Sequence, residues 1–377
     1  MDIWIRYKCI NVSAENRPAI ELTTRRVVIK QAREGHTKYI CLASQRRWHR
    51  RHVTIMDSLT QAALGAAVGE AILGKKIGGK AAIIGAVIGT IPDLDVLITP
   101  FFTPLEKISI HRGYSHSVLF CILGALLIAY VLSQLKVTKT EAYWRLWVLS
   151  FLGLFTHVLL DAFTTYGTQL FLPFTDWRVS FDSINIVDPF YTVPLLAGVL
   201  FSVFRFAPDA KRRALPNQIG LLVSTAYLLF TFVNKAHIED VFAAALAEQD
   251  IKYEEILTVP VKVGNMVWYG VANDGEQLHL GKYSMLTDNT IDFESFPINE
   301  QLLDGLDPEL ADRMKWFAQG FYTVAQEGRT IRVYNMQCDM QGVRHFGDYK
   351  APTAFYFQIV PEMGGGFELS TGMHPEE

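Results

Sequence analysis

Between residues 56 and 235 apolar positions form long, nearly uninterrupted blocks separated by short polar links. Five blocks predict spanning helices: Ala81–Leu97, Ser117–Leu135, Leu146–Leu160, Val187–Phe206 and Ile219–Val233. A span needs about 20 mostly apolar residues, so the shorter blocks are expected to borrow length at their ends. A sixth block, Leu59–Leu73, is rich in Ala and Gly, which suits close helix packing in lipid, and Asp57 or Ser58 stands where a helix cap would. After residue 236 the period changes. HIEDVFAAALAEQD is helical; YEEILTVPVK, MVWYGVAND, EQLHLGKYSM, TIRVYNMQCDM and TAFYFQIVPE alternate like strands and are punctuated by Gly, Pro, Asn and Asp. NEQLLDGLDPELADRMKWFAQGFYTVAQ, between them, predicts a helix. Ahead of residue 56, RRVVIK and KYICLA are short strand-like runs, and QRRWHRRH is a basic cluster. The expected fold is an all-α polytopic membrane domain of five to six helices (56–235), followed by a small α+β extramembrane domain (236–377).

Charge divides the 377 residues in the same places. Residues 1–55 carry twelve Lys/Arg against four Asp/Glu, residues 56–235 fourteen against eleven, and residues 236–377 nine against twenty-three. The basic first segment reads as an extension to a protein that starts at Met56. The competing reading is a basic arm that touches anionic lipid or nucleic acid. No uninterrupted apolar core follows residue 1, so no secretory signal peptide is expected there. The acidic tail argues against nucleic acid as a partner. Lys and Arg concentrate in the links at 74–80, 136–145 and 205–216, which predicts those links on the cytoplasmic side. The links at 98–116 and 161–186, with the C-terminal domain, are then expected to face the outside, which in a Gram-negative cell is the periplasm. Trp144 and Trp147 fit an interfacial belt on the cytoplasmic side. Cys9, Cys41, Cys121 and Cys338 are far apart with no CxxC pair, so neither a disulfide framework nor a cysteine metal site is expected.

Chemistry-bearing residues gather at the predicted outer ends of the spans. GTIPDLDVL brings Asp93 and Asp95, HRGYSHS brings His111, Arg112 and His116, THVLLDAFTTYGT brings His157 and Asp161, and DSINIVDPF brings Asp182 and Asp188. His157 and Asp161, four apart, share one helix face. A carboxylate in a bilayer costs several kcal/mol unless it is paired or bound to metal. Mixed His and Asp donors suit zinc, manganese or iron better than calcium or magnesium. Six donors, Asp93, Asp95, His111, His116, His157 and Asp161, would serve one or two divalent ions, zinc or manganese foremost, and such a site acidifies bound water. Arg112 and His116 are the candidate catalytic residues, Arg112 as a clamp for substrate phosphate. Asp182 and Asp188 suit loop shaping or capping before Pro189, and Ser115 and Ser117 suit capping. His237, His279 and His345 show no ligand spacing.

The order PDLD, HRGYSH, HxxxD and VDPF resembles the family of predicted membrane-bound metal-dependent hydrolases, the YdjM-like inner-membrane group, over residues 56–235. That resemblance implies a metal site on Asp93, Asp95, His111, His116, His157 and Asp161. Where many relatives carry Thr-His, this chain has Thr60-Gln61, and a site with one imidazole fewer would hold one ion tightly. The function so implied is hydrolysis of an ester or phosphoester, from the lipid phase or as a small molecule, with membrane lipid as a partner. The alternatives are a metal-handling carrier, which needs an ion path to the cytoplasmic side, and a non-catalytic scaffold built on a structural metal.

Overall fold

The computed structural model describes residues 5–12, 28–34, 37–45, 51–102, 104–185, 187–261, 263–287, 290–337, 344–346, 349–351, 353, 355–361 and 367–373. The chain divides into two units, Met1–Ile55 and Met56–Glu377. In the first, β1 (Ile5–Val12), β2 (Val28–Glu34) and β3 (Thr37–Gln45) form an antiparallel sheet in the order β1-β3-β2. The two strand-like runs thus fall on β2 and β3, whereas most of the basic cluster, residues 46–50, lies outside the described residues. Cys338 and the glycines at 364–366 lie outside them as well.

The second unit opens with helices. α1 (Arg51–Ile77) is already under way six residues before the expected cap at Asp57. α2 (Lys80–Thr90) crosses it at backbone contact: a Cβ on Gly85 would lie 2.1 Å from the Gly65 carbonyl oxygen, and one on Gly69 2.2 Å from that of Ala81. No other residue type fits there, which is how small residues bring helices together in lipid. The predicted Ala81–Leu97 span breaks after Thr90. Pro92 cannot donate to the helical ladder, and the chain continues as two 3-10 turns, Pro92–Leu97 and Thr99–Phe101, bent by 50° from α2. α3 (Pro104–Ile110) follows, then a 3-10 turn, Tyr114–His116. Ser117 caps α4 (Val118–Gln134) by accepting from the Phe120 N–H. α5 is Tyr143–Phe163. Asp188 caps α6 (Pro189–Arg205) through the Phe190 N–H and also accepts from the Tyr227 hydroxyl.

α7 runs unbroken from Ala214 to Glu248 and carries the chain from the apolar region into the acidic one. Its 35 residues span about 52 Å, more than the roughly 30 Å of a hydrocarbon core, so it projects beyond any bilayer it crosses. α5 and α7 are each long and apolar enough to cross a membrane, and each bent pair, Lys80–Thr90 with Pro92–Phe101 and Glu106–His116 with Val118–Gln134, reaches that length together. Among the described residues there are thus two to four candidate spans where the hydrophobic pattern predicts five or six.

The C-terminal domain is built on two antiparallel sheets. One has the order β4-β5-β6-β7 (Glu255–Pro260, Val267–Asn273, Gln277–Ser284, Phe293–Pro297). The other joins β8 (Tyr322–Glu327), β9 (Thr330–Asn335), β12 (Phe355–Pro361) and β13 (Phe367–Met373) in the order β13-β12-β9-β8, with a short β10-β11 hairpin (Arg344–Phe346, Tyr349–Ala351) beside them in sequence. The predicted helix at 299–326 shrinks to α8, Pro308–Ala318. Asp307 caps it from the front, Gln319 and Gly320 end it with positive φ, and the following TVAQ belongs to β8. Leu257, Val271 and Leu280 of one sheet, Val324, Val333 and Ile359 of the other, and Leu310, Met314 and Phe317 of α8 share one buried core.

This domain docks on the loops that follow α2 and α5. Ile108 of α3 is buried in the domain's core, Gln319 donates to the Arg178 carbonyl at 2.7 Å, and Asn265 donates to the Ser183 carbonyl at 2.7 Å. Asp182 sits in that seam with a positive φ, 3.7 Å from Lys235 Nζ, one carboxylate oxygen buried and without a hydrogen bond. Burial raises its pKa above the ordinary carboxylate range, and Lys235 and Ser180 offset only part of the rise. A raised folded-state pKa favours the fold at acid pH, and that contribution is lost as pH rises through the folded value. Asp182→Asn, which tolerates the same backbone, removes the titration. Its melting temperature relative to wild type is therefore expected to climb as pH increases from about 4 to 7, in a series of thermal melts.

Candidate metal centre

Three segments meet beneath the docked domain. α5 supplies His157 and Asp161 from successive turns; the break after α2 supplies Asp93; the 3-10 turn before α4 supplies His116. HRGYSHS owes its shape to two residues. Arg112 takes a left-handed φ of 59°, and Gly113 must be glycine, because a Cβ there would lie 2.7 Å from the Ser109 carbonyl oxygen. The reversal turns His116 inward.

Four atoms converge. His116 Nε2 lies 3.5 Å from Asp93 Oδ1 and 3.2 Å from Asp161 Oδ2; His157 Nε2 lies 3.4 Å and 3.6 Å from the same two oxygens; the two imidazole nitrogens are 3.3 Å apart. All four lie within 4.8 Å of one another, and the group could hold a metal ion. A tetrahedral ion with bonds of about 2.0–2.1 Å requires ligand–ligand edges of about 3.3–3.4 Å, and these five distances bracket that length.

The surrounding hydrogen bonds fix what these atoms offer. His157 Nδ1 is 2.6 Å from the Gly89 carbonyl, which only accepts, so the proton of the neutral ring is on Nδ1 and the Nε2 lone pair points into the cluster. Ser115 donates its hydroxyl proton to Asp95 Oδ2 at 3.1 Å and so accepts from His116 Nδ1 at 2.9 Å. The His116 Nε2 lone pair is then inward too. Asp161 Oδ2 is buried and accepts no hydrogen bond. With both rings neutral, two lone pairs and two carboxylate oxygens thus face one point. Arg112, its Nε 3.3 Å from Asp161 Oδ2, offsets one of the three carboxylate charges of Asp93, Asp95 and Asp161, which leaves two for a divalent ion to neutralise.

The expected donors separate into two layers. Asp95 accepts from the Arg112 N–H at 3.1 Å and from Ser115, and lies 3.2 Å from His111 Nδ1; it orients the HRGYSHS turn instead of joining the four. His111 is held outside the cluster, with its side chain 32% exposed. Arg112 is buried and turned inward: it donates to Thr164 Oγ1 at 2.7 Å and to the Asp161 carbonyl at 3.3 Å, and stacks over Tyr166. Asp182 and Asp188 stand apart at the domain seam and the α6 cap. Gln61 meets the cluster as a donor, Nε2 to Asp161 Oδ1 at 2.8 Å, with its own oxygen buried and unbonded. Ser115, Thr164 and the Gly89 carbonyl are the supports that the sequence does not announce. Hydroxyls and a backbone carbonyl carry no spacing signal. Because outer partners of a metal-bound histidine set its orientation, Asp95→Asn is expected to weaken metal binding about 10–100-fold while leaving the fold intact, as read by chelator competition.

Residues 56–238 match the family model described as YdjM inner membrane protein. The chain is 31% identical over 151 residues to the uncharacterized protein YfhP of Bacillus subtilis (strain 168), covering 38% of this chain and 45% of that protein. It is 28% identical over 109 residues to the inner membrane protein YbcI of Escherichia coli (strain K12), covering 29% of this chain and 61% of that one. The matches thus span about half the length of these relatives. No solved structure matches the chain. With apolar helices, a His/Asp cluster at their ends and this match, residues 56–238 are similar to the YdjM inner membrane protein family.

Proposed function

We propose that the protein is an inner-membrane hydrolase that uses one divalent ion, zinc foremost, held by Asp93, His116, His157 and Asp161. The observation that carries this reading is the convergence of two imidazole lone pairs and two carboxylate oxygens at tetrahedral spacing. When bound, such an ion supplies a Lewis acid that brings the pKa of coordinated water toward neutrality. The chain's own residues do the rest. Gly89 and Ser115 hold the two rings in one tautomer, Arg112 keeps Asp161 ionised and fixed, and Gln61 fills its second oxygen. Asp93, 23% exposed while the other three are enclosed, marks the open side of the site. His111, backed by Asp95, is the imidazole left free to pass a proton to a leaving group. In this reading Arg112 and His116 position and ligate, and neither grips substrate. The substrate is an ester or phosphoester, and the loops at 98–116 and 161–186 and the C-terminal domain face the periplasm. Purified protein is expected to hydrolyse members of an ester and phosphoester panel, to lose that activity with its ion to a chelator, and to regain it with zinc. Intact activity without metal, or full metal with no hydrolysis across the panel, would leave a structural-metal scaffold as the better account.

A further inference from the structure

From Val96 to Leu105 the sequence VLITPFFTPL carries no charge, and its first two residues share the 3-10 turn Pro92–Leu97 with Asp93. Leu97 is 65% and Phe101 86% exposed, with Leu94, Ile98 and Tyr114 exposed around them. This is the stretch where the span breaks and turns. The docked C-terminal domain covers a different flank: Tyr166, beside His111 and Arg112, packs edge-on against Phe317 at 5.5 Å. The Leu97–Phe101 flank stays bare with that domain in place. In a membrane protein a bare apolar surface of this kind meets acyl chains, and aromatic side chains at its rim suit the headgroup level. Exposed apolar side chains thus continue the turn that carries Asp93, the one partly exposed member of the four.

Resting on the metal-centre reading above, we propose that the substrate class is a bilayer amphiphile with an oxyanionic head: its chain lies along Leu97, Ile98 and Phe101 and its head reaches the centre past Asp93. Laterally supplied lipid needs no water-filled funnel, which accounts for a site whose other three donors are sealed. A water-soluble substrate would instead approach past His111.

The test uses the full chain in lipid nanodiscs, wild type against the double variant Leu97→Ser/Phe101→Ser, with Leu127→Ser on the lipid-exposed side of α4 as control. Zinc per chain is measured first, then affinity for dodecyl phosphate and butyl phosphate by calorimetry. Wild type is expected to prefer the dodecyl chain by at least about tenfold. The double variant should lose most of that preference with zinc content and butyl phosphate affinity unchanged, and the control should behave as wild type. Partitioning into the bilayer is common to all three proteins, so their difference isolates the apolar path. No chain-length preference in wild type, or one that survives in the double variant, would overturn the proposal. Absent zinc in wild type with the chain-length difference intact would overturn the metal reading and leave the lipid path standing.

Discussion

His116→Ala and Asp161→Ala proteins are expected to emerge from purification with far less than the one ion per chain expected of wild type. Each removes one of four donors spaced 3.2–3.6 Å apart along five edges, and the neighbouring carboxylate and imidazole are committed elsewhere: Asp95 is engaged with Arg112, Ser115 and His111, and His111 lies outside the cluster. Changes to outer partners alone cost about 10–100-fold in affinity, so loss of a direct donor should cost about 1,000-fold or more. Mass-spectrometric metal analysis after dialysis gives the answer. His116→Ala is the cleaner variant, because Asp161→Ala also removes the carboxylate beside the buried Arg112 guanidinium. His111→Ala supplies the contrast and should keep its ion. Equal metal content in all three variants and wild type would remove the centre from the account.

A second large effect is expected far from the site. Glu70 of α1 and Arg213, just ahead of α7, form a buried two-point ion pair at 2.8 and 2.9 Å, and Arg213 also donates to the Phe206 carbonyl at 2.7 Å. Gly74 leaves the room: a Cβ there would lie 2.3 Å from the Glu70 carboxylate. Glu70→Ala or Arg213→Ala strands one charge away from water, which typically costs about 3–5 kcal/mol. Replacing both by apolar side chains of similar volume, Glu70→Leu with Arg213→Met, removes both charges and should recover most of that loss. Thermal unfolding in detergent of the two single variants and the double variant separates the cases. Single variants as stable as wild type would show that the pair does not fasten these helices.

Parts of the site were legible because they depend on local geometry. His157 and Asp161 had to share a helix face, and HRGYSHS had to be a turn ahead of an apolar helix. Asp93 and Asp95 could not be told apart that way. In a 3-10 turn, residues two apart point about 120° away from each other, so only one of them can enter a given centre. Which one enters depends on where α5 and the HRGYSHS turn lie. The same limit hid the Glu70–Arg213 pair, whose partners are 143 residues apart, and the Gly89 carbonyl, which any residue would supply. The over-long helix predicted at 299–326 has a different cause. Its apolar residues fit a helix or a strand equally well, and the stop at Gln319–Gly320 lies in backbone angles.

Taken alone, the order of residues determined that apolar helices come first and a strand-rich acidic domain second, since burial period and charge are written position by position. It also marked the carboxylates and imidazoles as costly unless compensated. Only the tertiary structure decided that four of the six expected donors converge while two stand outside them, and that α7 runs on as one rod. It alone decided that the C-terminal domain covers one flank and leaves the other bare. These outcomes depend on distances between segments remote in sequence, and no local pattern encodes such distances.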